Sequence, residues 1–137
     1  MSFLIDTNAL SELRKRRPHP GVVRWFDHQP PERLHLSVMT LGELREGIAG
    51  MVIGDRRDRF SQWLQDELPR YFAGRILAVD AQVADRWGRL CAAAGRPLPV
   101  IDSLLAATAL THGLTMVTRN TEDFAISDLQ IVDPWQT

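Results

Sequence analysis

Residues 3–10 read Phe-Leu-Ile-Asp-Thr-Asn-Ala-Leu, and how this stretch is parsed decides the fold. Phe3, Leu4 and Ile5 form an uninterrupted apolar triplet, too short for a buried helix and suited to a strand covered on both faces. Asp6, Thr7 and Asn8 follow at once, and an apolar pattern of helical period begins behind them. Asp, Thr and Asn all cap helix N-termini by accepting backbone N–H groups. A buried strand running straight into a capped helix is the first half of a βαβ unit.

The rest of the chain repeats that alternation. Helices are expected over Asn8–Arg16, ending before Pro18 and Pro20, and over Gly21–His28. Leu34–Val38 is a strand, and a helix begins near Thr40. An amphipathic helix covers Asp55–Leu68 and stops before Pro69. Ile76–Val79 is a strand, followed by a helix over Ala81–Ala94 that Asp80 caps. Ile101–His112 is a helix ended by Gly113, and Thr115–Thr118 and Gln130–Val132 are the last strands. The expected fold class is α/β: a parallel sheet of about five short strands with helices on both faces. Ligands in such sheets sit beyond the carboxyl ends of the strands, where the strand order reverses.

The chain of 137 residues, 45% hydrophobic and 24% charged, is expected to form one soluble domain over 1–137. It has no apolar run long enough for a membrane span and no secretory leader, so a cytoplasmic location is expected. Cys91, the only cysteine, reads as a small core residue. A net charge of −1 does not itself point to nucleic acid. Arg14–Arg17 and Arg56–Arg59 are nonetheless locally basic, either as solvated helix ends or as polyanion contacts.

Four acids fall near the ends of strands: Asp6, Glu43, Asp102 and Asp123. Each also has an ordinary structural use. Asp6 can cap a helix, Thr40-x-x-Glu43 can be a capping box, Asp102 can complement a helix dipole and Asp123 can sit in a turn. Asp102 is the telling one. Leu104, Leu105, Ala106, Ala107, Ala109 and Leu110 surround its helix almost completely, so the helix is buried and its carboxylate needs a partner, a proton or a cation. Converging carboxylates repel one another, and a divalent ion relieves the repulsion. Oxygen-only ligands select Mg2+ or Mn2+, whereas His19, His28, His35 and His112 are too scattered for zinc. An acidic site of this kind most often serves phosphate or phosphodiester chemistry.

Four motifs, "LIDTNAL", "TLGELREGIA", "PVIDSLLAATAL" and "MVTRNTEDF", resemble in order and spacing those of the PIN domain across Phe3–Asp133. The set is most similar to VapC/FitB-type toxins of bacterial type II toxin–antitoxin pairs. The resemblance implies a PIN-like fold, a Mg2+- or Mn2+-dependent endoribonuclease acting on RNA, a homodimer and a cognate antitoxin. It assigns the metal to Asp6, Glu43, Asp102 and Asp123, with Thr7 and Asn8 supporting Asp6 and with Thr118, Arg119 and Asn120 lining the pocket. In many PIN domains the fourth acid stands nearer the position of Asn120; here it comes three residues later, with Glu122 as the alternative. A non-toxin PIN nuclease in RNA processing and a silent RNA- or partner-binding PIN module are the competing readings.

A haloacid-dehalogenase-type phosphatase also places an aspartate after its first strand. It requires a second two residues on, where Asn8 stands, and a later lysine, whereas Lys15 is the only lysine. The P-loop signature is absent. Arg119 is a candidate phosphate contact unless it pairs with Glu122 or Asp123. Trp87, Leu90 and Ala94 face either a second copy or the core. Leu44, Ile48, Met51, Phe60, Trp63 and Leu64 either form an apolar groove for an antitoxin helix, letting a partner arginine reach Asp6, Glu43 or Asp102, or pack their two helices together.

Overall fold

The computed structural model describes residues 1–126 and 128–137. Five parallel strands, β1 (Phe3–Ile5), β2 (Leu34–Ser37), β3 (Ile76–Leu77), β4 (Thr115–Val117) and β5 (Ile131–Val132), form one sheet in the order β3-β2-β1-β4-β5. β1 is central, so the order reverses on its two sides, at β2 and β4.

Alternation along β1 explains why every residue in it is apolar. Phe3 and Ile5 point into one core and Leu4 into the other, and all three are buried. On the first face the sheet meets α1 (Thr7–Glu12), α3 (Val38–Ala49) and a helical run over Asp55–Tyr71, through Ala9, Leu10, Leu44, Ile48, Trp63, Leu64 and Leu68. Trp25 and Phe26 of α2 (Pro20–Asp27) pack at its edge. On the second face α7 (Val100–His112) supplies Leu105, Ala106 and Ala109, and α6 (Ala81–Ala93) leans on it through Leu90. Small side chains on α7 let the helix lie close to the sheet, and it is buried nearly all round, as its composition requires.

Several boundaries differ from the sequence reading. α1 stops at Glu12 rather than continuing to Arg16. The Glu12 carboxylate is buried and accepts the His19 N–H at 3.1 Å, closing the loop that carries Pro18. Pro69 does not end its helix. Helix α4 (Asp55–Gln62) opens into a widened turn over Trp63–Glu67, in which the Leu68 N–H reaches the Trp63 carbonyl, and α5 (Leu68–Tyr71) carries on. Widening is how a helix accommodates a ring that would strike the carbonyl four residues back. α3 begins at Val38, earlier than Thr40, because Ser37 caps it by accepting the Met39 N–H at 3.0 Å. Cys91 is half-buried on α6 rather than in the core.

Asp80 caps α6 by accepting the Val83 N–H at 2.9 Å, and Gly113 ends α7 with φ of 65°, where a side chain would be strained. Arg75 ties the start of β2 to the end of α5. Its guanidinium donates to the carbonyls of Pro31, Leu34 and Tyr71 and lies over the rings of Tyr71 and Phe72. No helix among the described residues is long and apolar enough to cross a membrane.

Candidate active site

β1 and β4 lie side by side, and each ends on a polar residue buried at the carboxyl edge of the sheet: Asp6 after Ile5, and Thr118 after Val117. Backbone pairing continues through both, with the Asp6 N–H on the Val117 carbonyl and the Thr118 N–H on the Val132 carbonyl. Their side chains are therefore fixed by the sheet itself. Asp6 Oδ1 accepts the Thr7 N–H at 2.7 Å, which makes Asp6 the N-cap of α1. Its Oδ2 accepts the Thr118 hydroxyl, also at 2.7 Å. The Thr118 Oγ1 in turn accepts from Asn8 Nδ2 at 3.3 Å and from the Asn120 N–H at 3.0 Å. Asn8 Oδ1 faces the Arg119 N–H at 3.4 Å. Thr7, Asn8, Thr118, Arg119 and Asn120 thus form one hydrogen-bonded rim around Asp6.

Glu43 arrives from α3. The capping-box alternative fails here: the cap is Ser37, Thr40 lies inside the helix, and Glu43 Oε1 accepts the Thr7 hydroxyl at 2.6 Å instead. Asp102 stands in the first turn of α7, half-buried. Asp123 lies in a single 3-10 turn over Thr121–Phe124, held by the fully buried Phe124.

Burial and mutual repulsion show in the proton affinities. Burial pushes Asp6 up to about 6; hydrogen bonds from Thr118 and Thr7 pull it down, and the charges of Asp102 and Glu43 push it further up. Asp102 is likewise raised, by burial first and then by the charges of Asp123 and Glu43. Among the described residues no donor offsets this at Asp102. Asp6 therefore feels the charges of Asp102 and Glu43, and Asp102 those of Asp123 and Glu43, whereas Glu122 is not among the groups that act on Asp102.

Among the described residues no three acidic, imidazole or thiolate side chains close tightly enough to enclose an ion by themselves. A bare protein cage is not what a hard divalent ion such as Mg2+ requires. It keeps several waters and takes one or two carboxylates together with substrate oxygens. An oxygen-only donor set, loosely gathered and short of positive partners, fits that mode.

Arg119 makes no ion pair with Glu122 or Asp123; its guanidinium lies over the Trp135 ring, 5.4 Å from the centroid. The sequence reading missed Trp135 and Glu12, which lie outside all four motifs. An isolated tryptophan in "DPWQ" was the one available signal.

The expected groove between α3 and the 55–68 helix is filled: Leu44, Ile48, Trp63 and Leu64 are core, with Met51 and Phe60 packed on it. An open, mostly apolar groove of about 480 Å³ lies one element away, lined by Leu10, Leu13, Phe26, Trp63, Leu68 and Phe72 together with the carboxylates of Asp27 and Glu67. Arg14 sits on its rim, over the rings of Phe60 and Trp63. On α6, Trp87 and Leu90 are half-buried. Trp87 Nε1 donates to Ser103 Oγ at 2.9 Å and so braces the helix that carries Asp102.

Comparison with known proteins agrees with this architecture. The chain is 39% identical to a VapC ribonuclease of Sinorhizobium fredii, covering 98% of each chain. It is 36% identical to the toxin FitB of Neisseria gonorrhoeae, covering 97% of this chain and 98% of that protein. The crystal structure of FitAcB from the same organism superposes with a TM-score of 0.90 at 34% identity, over 98% of this chain and 99% of that one. The PIN domain profile matches residues 3–128, which takes in β1, α7, β4 and all four acids, and the chain belongs to the PIN domain family.

Proposed function

We propose that this protein is a Mg2+- or Mn2+-dependent endoribonuclease and the toxin of a type II toxin–antitoxin pair. The observation that carries the reading is Asp102: a half-buried carboxylate with no donor among the described residues, raised by burial and then by two neighbouring acids, at the start of α7. A cation is the partner this arrangement lacks. Asp6, Glu43, Asp102 and Asp123 would hold the metal. When bound, the ion supplies charge neutralisation at the scissile phosphate and a more acidic water. Thr118 and the Thr7 N–H hold Asp6 in one rotamer, and Thr7 does the same for Glu43, so two acids are oriented before substrate arrives. The chain's similarity to a VapC ribonuclease and to the toxin FitB supports RNA as substrate and an antitoxin as partner.

The antitoxin's amphipathic segment docks in the groove lined by Leu10, Leu13, Phe26 and Trp63, and a partner arginine reaches the acids beyond α1. Trp87 and Leu90 of α6 are used within the chain, against Ser103 and the second core, so the homodimer this reading includes needs another surface. The deciding experiment compares wild type with Asp6→Asn and Asp102→Asn. Both variants should keep the circular dichroism spectrum, lose RNA cleavage, and bind Mg2+ more weakly by calorimetry. Wild-type cleavage by either variant would refute the site, and cleavage surviving exhaustive chelation would refute the metal.

A further inference from the structure

Arg119 and Trp135 form a contact that the metal chemistry does not require. We propose that Trp135 is a positioning residue that holds the Arg119 guanidinium beside the acidic site as a contact for an RNA backbone phosphate. The inference rests on the nuclease reading above and adds to it how a strongly acidic site receives a polyanion.

Three features support it. First, Arg119 directly follows Thr118, the residue bonded to Asp6, and its own N–H faces Asn8, so its backbone belongs to the site. Second, its side chain is exposed yet declines two nearby carboxylates, Glu122 and Asp123, and lies on the indole. A guanidinium resting on an aromatic face keeps its N–H edge free for bidentate contact with a phosphate. Paired with a carboxylate, that edge would be used up.

Third, Trp135 is itself tied down from several sides. Asp133 Oδ1 accepts its backbone N–H at 2.9 Å, and the buried Pro134 anchors the turn. The Glu12 carboxylate, buried outside the acidic site, accepts from Lys15 Nζ at 2.9 Å and from the His19 N–H at 3.1 Å, and the Trp135 side chain is among the groups that lower its proton affinity. Gly21 backs the same turn so closely that a Cβ would stand 3.0 Å from the Pro134 carbonyl oxygen. The ring is thus a fixed platform beside α1 and α2, and among the described residues Arg119 is the cation laid on it.

The test uses full-length protein with Mg2+ and a defined single-stranded RNA, following kcat and KM across a KCl series, with thermal unfolding measured on every variant. Arg119→Ala should make log kcat/KM against log salt shallower by about 0.7, the loss of one single-strand phosphate contact. Trp135→Ala should reproduce the shallower slope and raise KM roughly two- to fivefold, the scale of an exposed cation–π contact, with kcat unchanged. Trp135→Phe, which keeps a ring face, should fall between wild type and Trp135→Ala. The double variant should be no worse than Arg119→Ala alone, because the tryptophan acts through the arginine.

A purely structural tryptophan would instead lower the melting temperature and the active fraction, leaving the salt slope as in wild type. That result, or additive effects in the double variant, overturns the proposal. Should Trp135→Ala not fold, the same cycle with Trp135→Phe decides by the same two criteria. Wild-type protein that cuts no RNA overturns the nuclease reading and this role with it. Cleaving wild type with an unchanged slope in the Trp135 variants overturns this role alone.

Discussion

The Thr118 hydroxyl donates to Asp6 Oδ2 at 2.7 Å, joining the carboxyl ends of the two central strands across 112 positions of sequence. This bond lowers the proton affinity of a carboxyl group that burial and two neighbouring acids raise. Thr118→Val keeps the shape and removes the donor. The acidic limb of the pH–rate profile for RNA cleavage should then move to higher pH, with kcat on the alkaline plateau much less affected. An unmoved limb would mean that Asp6 does not set it.

Asp6 also predicts how stability depends on pH. Its carboxyl titrates near 6 when folded, against 3.8 ordinarily. Between those values the folded protein keeps a proton that the unfolded chain releases. The contribution of Asp6 therefore favours folding at low pH and is lost as pH rises through about 6. The cost above that window is at most about 3 kcal/mol. Asp6→Asn should raise metal-free stability at pH 7.5 by roughly 1–3 kcal/mol in urea titrations and flatten the profile between pH 4 and 6. Loss of activity with a gain in stability separates a functional acid from a structural cap.

Divalent metal should reverse the same cost. A Mg2+ or Mn2+ concentration a hundredfold above its Kd should stabilise wild type by about 2.7 kcal/mol. Asp102→Asn should lose most of that gain, while a distant charge change such as Asp66→Asn keeps it. Thermal unfolding with and without chelator measures both.

Arg75 should matter for stability and not for chemistry. Its fork spans three carbonyls, which a point-like ammonium cannot match. Arg75→Ala and Arg75→Lys should each lose about 2 kcal/mol in chemical denaturation. RNA cleavage per folded molecule should stay at the wild-type level.

The groove offers a separation of functions in the other direction. Leu13→Asp places a charge in the apolar lining, away from Asp6 and Thr118. Complex formation with the product of an adjacent antitoxin reading frame should weaken by at least about thirtyfold on gel filtration and calorimetry, the scale of an interface hot spot. Cleavage by the free protein should persist, and growth arrest should no longer be rescued by the partner.

Local signals carried most of the architecture. Strand β1 is a short apolar run ending on a cap residue, visible in "FLID", and β2 alternates Leu with polar residues before its capping serine, visible in "LHLS". The acids were legible because a carboxylate at the start of an otherwise apolar helix has few uses. What stayed hidden was tertiary. The Thr40-x-x-Glu43 pattern suggests a cap at Thr40, whereas the folded chain uses Ser37, one residue after which the helix begins. The true groove depends on which helix faces meet, which periodicity does not encode. α1 stops where Glu12 meets the His19 backbone, and the place of Arg119 depends on a tryptophan beyond the last strand.

The central position of β1 has a kinetic corollary. Asp6 hangs from a strand bonded on both sides and buried on both faces, so its amide should exchange with solvent hydrogen only on global unfolding. Asp123 hangs from one exposed 3-10 turn pinned by Phe124, where local opening suffices for exchange. The Asp6 and Asp123 sides of the site thus differ in compliance: one is a rigid reference, and the other can adjust. In the nuclease proposed above, Asp6 would then set the precision of the site and Asp123 its tolerance for differently shaped substrates.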